Sequence, residues 1–226
     1  VRNREHILVF GYYDVDGTTS VRLLYLFLKH LGANVSYYIP DRLTEGYGLS
    51  LNAVKKAAED GVELIITVDC GITAAKEVKA AAGFGIDVIV SDHHEPSAEL
   101  PDAAAILDPK QQDCTYPFDQ LAGVGVAYKL VQAVLKHAGA DEEIARQYLD
   151  LVALGTVADI VPLMNENRIL VKLGLERINL LKRVGIKALA DSSGITGRPI
   201  GTGQVVFVIA PRINAVGRMG KADRAV

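Results

Sequence analysis

Between residue 7 and about residue 108, short apolar runs rich in β-branched residues alternate with stretches whose apolar positions recur at helical spacing. That alternation limits the fold more than any other feature. The runs at 7–13, 34–39, 62–68, 86–91 and 103–107 read as strands, and 18–31, 49–60 and 73–83 read as helices between them. Strands that alternate with helices predict an α/β fold, a mostly parallel sheet with helices on both faces, because parallel neighbours need a crossover long enough to hold a helix. Right-handed crossovers then gather the strand carboxyl ends on one edge, where open sheets bind their ligands. From about residue 120 the pattern turns helical, over 124–138, 141–157, 168–182 and 185–191, which predicts a helical subdomain. A glycine-rich connector follows at 194–203, and Val205–Ile209 reads equally as a strand or as the start of a helix.

The predicted sheet edge carries the chemistry. Asp14, Asp16, Asp69, Asp92, His93 and His94 all fall where an apolar run gives way to a loop. If the first strand runs on through them, Asp14 and Asp16, two apart, face the same way, and Gly17 allows the turn into the next helix. Asp69 reads either as a helix N-cap or as a partner to that pair. Asp92-His93-His94 is the sharper signal, since a turn at a strand end lets one imidazole reach a metal while its neighbour faces substrate. Asp159 sits in the otherwise apolar stretch 153–162, where an unpaired carboxylate is costly to bury, so it needs a metal ion, a cap or an arginine. Carboxylates and imidazoles arriving together are the hard and borderline ligands that divalent cations require.

The 226 residues suffice for one large core, or a core with a helical subdomain. No apolar run approaches the roughly 18–20 residues of a membrane span and no signal peptide is visible, so the expected location is cytoplasmic, with no membrane partner. Cys70 and Cys114 lack metal-site spacing and read as packed thiols of a reducing compartment. A net charge of −3 argues against gripping nucleic acid through the overall field, though a local basic groove stays open. The chain opens on Val1 and stops at Val226 in a helix-compatible stretch, which reads as a fragment of a longer protein.

Taken with Glu45-Gly46-Tyr47-Gly48-Leu49, residues 121–127, residues 155–163 and residues 210–219, these motifs resemble the DHH phosphoesterase superfamily, and within it the RecJ-like single-strand-specific 5′→3′ DNA exonucleases. The resemblance covers nearly the whole chain. It implies a metal-binding DHH core over 1–120, the helical part of that domain and the start of a connecting helix over 121–226, and no counterpart here of the family's C-terminal substrate-binding domain. It also implies two divalent cations, Mn²⁺ preferred and Mg²⁺ tolerated: one held by Asp16, Asp69, His93 and Asp159, the second by Asp14 and a bridging Asp69. His94, Arg212, Asn214 and Arg218 would contact substrate phosphate. Single-stranded DNA is the implied substrate, with a single-strand-binding protein and a helicase as possible partners in recombination and repair.

One departure bears on activity. The family reads Gly-Asp-Tyr-Asp-x-Asp-Gly where this chain reads Gly11-Tyr12-Tyr13-Asp14-Val15-Asp16-Gly17, so one metal position is short of a carboxylate and reduced activity is expected. Strand parity would place Tyr12 on the side of Asp14 and Asp16. Two other readings keep the fold: a phosphodiesterase for short oligonucleotides or cyclic dinucleotides, and a catalytically weak scaffold that binds DNA or replication partners.

Overall fold

The computed structural model describes residues 4–41, 45, 46, 48–218 and 226. Its five strands, β1 (His6–Gly11), β2 (Asn34–Tyr38), β3 (Leu64–Val68), β4 (Asp87–Ser91) and β5 (Ala105–Leu107), are all parallel and lie in the order β2-β1-β3-β4-β5. Alternate residues serve opposite layers, which is why the strands read as continuous apolar runs. Helices α1 (Val15–His30) and α4 (Gly123–His137) cover one face, where Val9 and Val68 meet Leu24, Phe27, Val124 and Val131. Helices α2 (Leu51–Glu59) and α3 (Ala75–Gly83) cover the other, packing Val54 and Val78 over Phe10, Ile65 and Val88. The expected α/β architecture is present.

The second half adds a helical layer. Helix α6 (Leu149–Ala158) is apolar almost all round because it is enclosed, between α1 and α7 (Asn165–Ile178). Helix α8 (Val184–Ser192) and, after the single turn α9 (Thr202–Gln204), α10 (Ala210–Arg218) close a third apolar cluster around Leu154, Ile178, Ile186 and Ile209. One apolar cluster joins a sheet face to α4 and α6, so residues on both sides of position 120 share a core.

Several boundaries differ from the sequence reading. Strand β1 stops at Gly11 rather than 13, and α1 begins at Val15 rather than 18. The helix expected over 141–157 is two, α5 (Glu143–Arg146) and α6, and the break seats Tyr148 in the core, its ring edge-on to Phe27. Val205–Ile209 is a π-helical turn. Pro211 explains it: proline has no N–H to donate and its ring crowds the carbonyl one α-turn earlier, and the wider turn, in which Ala210 donates to the Val205 carbonyl, makes room. Both cysteines are free, and among the described residues no helix is long and apolar enough to cross a membrane.

Candidate metal centre

After β1 the chain crosses one face through α1 to reach β2, then returns over the opposite face to add β3 on the other side of β1. The carboxyl ends of β1 and β3 therefore diverge. Such a switch point opens a crevice that open α/β sheets use for ligands. Asp14 and Asp16 follow β1, Asp69 follows β3 and His93 follows β4, while Asp159 arrives from the C-terminal end of α6.

These groups converge on one imidazole. His93 Nε2 lies 3.1 Å from Asp69 Oδ1, and 3.8 Å from both Asp16 Oδ2 and Asp159 Oδ2. It is buried and makes no hydrogen bond among the described residues. Asp69 has φ of 59°, a left-handed conformation that a non-glycine residue holds at a cost of order 1–3 kcal/mol only where its surroundings impose it. Its N–H donates to the Ser91 carbonyl at 3.0 Å, anchoring it to β4. Asp16 caps α4 from a distance, accepting from Gly123 N–H at 2.7 Å and Val124 N–H at 2.9 Å. Two glycines make the space: a Cβ on Gly123 would stand 2.7 Å from Asp69 Oδ1, and one on Gly155 would stand 2.8 Å from Asp16 Oδ1.

Burial pushes the Asp16 carboxyl up to about 7; His93 and the Val124 N–H oppose the shift, and Asp159 and Asp14 add to it. Asp69 is raised well above the ordinary carboxylate range, by burial and then by the charges of Asp16 and Asp14. Asp159 is raised by burial, with His93 opposing. Three mutually repelling carboxylates around a hydrogen-bond-free buried imidazole nitrogen fit a divalent cation, and an oxygen-rich set with one imidazole suits Mn²⁺ or Mg²⁺ better than Zn²⁺. The donor atoms form two compact groups, Asp16, His93 and Asp159, and Asp69, His93 and His94, each spanning no more than 4.8 Å.

A pH dependence follows. Unfolded, Asp16 releases its proton near 3.8; folded, it keeps it to about 7. Between those values the native state binds more protons, so metal-free stability falls as pH rises through that window. Ligands must be deprotonated to bind metal, so stabilisation by Mn²⁺ grows with pH over the same range. Thermal unfolding at pH 5 and pH 8, with chelator and with Mn²⁺, checks both signs. A chelated melting temperature that rises from pH 5 to pH 8 would contradict this account.

The remaining site residues fall in different places. Asp14 is the N-cap of α1, its Oδ1 accepting from Gly17 N–H at 2.9 Å, and its charge reaches Asp16, Asp69 and Asp159. Asp16 lies in the first turn of α1, so the parity argument linking Tyr12, Asp14 and Asp16 along one strand does not hold. Tyr12 is buried, and its hydroxyl pairs with that of Tyr13. Arg212 donates to the Val208 carbonyl and lines a separate cavity. Asn214 is half-buried on α10. The side chain of Arg218 lies outside the described residues, as do Tyr47 and Met219. Gly217 brings that end of α10 against Tyr13, where a Cβ would stand 2.7 Å from the Tyr13 carbonyl oxygen.

Sequence reasoning missed the role of Asp92. Its Oδ1 accepts from His93 N–H (2.8 Å), from His94 N–H (3.3 Å) and from His94 Nδ1 (2.7 Å), and its Oδ2 accepts from Ile72 N–H (3.0 Å). Burial would raise its carboxyl, but the bond from His94 and these N–H groups outweigh burial and hold it low. The same bond raises His94, whose side chain is half exposed. Asp92 thereby fixes the His94 ring through Nδ1, and His94 lines a cavity of about 270 Å³ together with Asp69, Gly71 and Thr73.

Residues 6–156 match the DHH family, N-terminal domain. Over its full length the chain is 49% identical to the single-stranded-DNA-specific exonuclease RecJ of Bacillus subtilis (strain 168), spanning 28% of that protein. A crystal structure of exonuclease RecJ bound to manganese superposes on all of the chain with a TM-score of 0.88 at 40% identity, 56% of that protein being covered. RecJ from Thermus thermophilus, in complex with Mn²⁺, gives 0.83 at 37% identity, covering 99% of this chain and 32% of its own. The family match takes in the whole sheet, the helices on both its faces and every residue of the carboxylate–imidazole cluster except Asp159, and on that ground the chain belongs to the DHH family.

Proposed function

We propose that this chain carries the catalytic part of a metal-dependent exonuclease that hydrolyses single-stranded DNA from the 5′ end, releasing mononucleotides. The observation that carries the reading is His93 Nε2, buried without a hydrogen bond among Asp16, Asp69 and Asp159 at the switch point of the sheet. The RecJ relatives, 49% identical in one case and Mn²⁺-bound in two crystal structures, support single-stranded DNA as the substrate and Mn²⁺ as an ion of the site. Asp16, Asp69, His93 and Asp159 hold one cation; Asp14 and Asp69 hold a second. Tyr12 leaves that second position one charge poorer, so it fills at higher metal concentration. When bound, divalent ions lower the pKa of the attacking water and offset charge on the phosphate. His94, its pKa raised by Asp92, donates from Nε2 to a phosphate oxygen, and Arg218, at the end of α10 that abuts Tyr13, is assigned a phosphate contact.

In this reading residues 1–120 form the metal-binding core and residues 121–226 its helical part and connector, with substrate binding shared by a further domain. The protein works in the cytoplasm in recombination and repair. A single-strand-binding protein and a helicase, which present and produce single strands, are its partners.

Digestion of single strands labelled at either end tests the proposal. The expected result is Mn²⁺-dependent release of mononucleotides from the 5′ end, abolished by chelation. Hydrolysis confined to dinucleotides or cyclic dinucleotides would move the assignment to a small-substrate phosphodiesterase. DNA binding without hydrolysis at any Mn²⁺ concentration would make the chain a scaffold.

A further inference from the structure

A second cavity, of about 250 Å³, lies between α1, α6, α8 and α10, and shares no residue with the metal cluster. Among the described residues, three arginines line it, Arg22, Arg183 and Arg212, along with Val216 and the last residue, Val226, and no acidic side chain does. Arg183 is satisfied: its Nε and Nη2 grip Asp150 at 2.6 and 2.8 Å in a two-pronged pair. Arg22 and Arg212 pair with no carboxylate among the described residues. Arg212 donates from Nη1 to the Val208 carbonyl at 2.7 Å, within the π-helical turn that Pro211 imposes, and its other N–H groups remain available. The opposite wall is apolar, formed by Leu154, Ile186, Leu189 and Ile213.

We propose that this cavity binds a phosphate monoester of mononucleotide size, separately from the metal centre. Two guanidinium forks with no carboxylate partner among the described residues match a phosphate dianion, which accepts paired N–H bonds from each. The apolar wall gives a planar base a surface to pack on, and a cavity of about 250 Å³ is too small to enclose a strand of several nucleotides. Thr18 and Thr19 also line the cavity, but their hydroxyls are bonded back to the carbonyls of Asp14 and Val15, so the recognition falls to the arginines. Both sites are built on α1, whose Asp16 serves the metal cluster and whose Arg22, farther along, serves the cavity.

The test is a titration of the 226-residue chain with deoxyadenosine monophosphate in chelator, followed by amide NMR. Shifts are expected at Gly185 and Ile186, saturating with a dissociation constant of about 1 mM or tighter. Deoxyadenosine is expected to bind at least about tenfold more weakly, inorganic phosphate to shift the same amides at higher concentration, and a short oligonucleotide without a terminal phosphate to leave them in place. Arg22→Gln and Arg212→Gln should each weaken nucleotide binding by about tenfold or more, and Asp69→Asn should leave it unchanged. Neither arginine is buried in an ion pair, so both variants are expected to fold, and the shift map of the unaltered chain tests the location without them. Shifts confined to residues 69–72, equal affinity for the nucleoside, or full affinity in both arginine variants would overturn the assignment. With metal chelated and Asp69 uninvolved, such a failure leaves the nuclease reading standing.

Discussion

Asp69→Asn is expected to lower hydrolysis by about a thousandfold, which corresponds to about 4 kcal/mol in the barrier. Asparagine is the informative replacement because the backbone at this position, with φ of 59°, is one that asparagine tolerates and alanine does not. The change therefore removes the charge and leaves the turn. Asp69 lies 3.1 Å from His93 Nε2 and is assigned to both cations, so no neighbour can substitute for it. In chelator the same substitution should leave the melting temperature unchanged or raise it, because the lost carboxylate is held at a cost by burial and then against Asp16 and Asp14. Addition of Mn²⁺ should no longer stabilise the variant as it does the unaltered chain. Retention of a tenth of the activity, or an undiminished Mn²⁺-induced rise in melting temperature, would show that Asp69 is not a shared ligand.

Gly155→Ala is expected to destabilise the chain by about 1–3 kcal/mol, although alanine is the better helix former by about 1 kcal/mol. A Cβ there would stand 2.4 Å from Thr19 Oγ1 and 2.8 Å from both Asp16 Oδ1 and Val124 Cγ1. All three neighbours are buried, so the overlap cannot be relieved towards solvent. Because one of them is the Asp16 carboxylate, proposed above as a metal ligand, the Mn²⁺ concentration for half-maximal activity should rise by about tenfold. Gly174→Ala is the control. Its Cβ would meet the Leu149 carbonyl oxygen at 2.2 Å, so it should cost comparable stability by forcing α7 from α6 while leaving metal dependence where it was. Equal effects of the two variants on metal affinity would mean that Gly155 acts only through packing.

The alternation of apolar runs with helical stretches was enough to specify a parallel α/β sheet and to place Asp16, Asp69 and His93 on its carboxyl edge. These are local properties: strand and helix periodicity are written in neighbouring residues, and crossover handedness does the rest. Asp92-His93-His94 stands out for the same reason, as three polar residues where a buried strand ends. Where local signals compete, the sequence misleads. Tyr12 and Tyr13 extend an apolar run and so read as strand, yet Asp14 caps α1 and ends the strand earlier. Val205–Ile209 is β-branched enough to suggest a strand, and Pro211 turns it into a widened helical turn.

What only the tertiary structure decided is which distant groups share space. Asp16 accepts from backbone N–H groups of Gly123 and Val124, more than a hundred residues away, and nothing in either segment announces the other. The role of Asp92 depends on His94 bending back to it, and the roles of Gly123 and Gly155 depend on which carboxylates lie above them. Arg212, which its motif suggested for substrate phosphate, lines a cavity with Arg22 apart from the carboxylate cluster, because the helix that carries it reaches Tyr13 only with its far end. Periodicity specifies elements one at a time, whereas close packing brings them together only when the whole core forms.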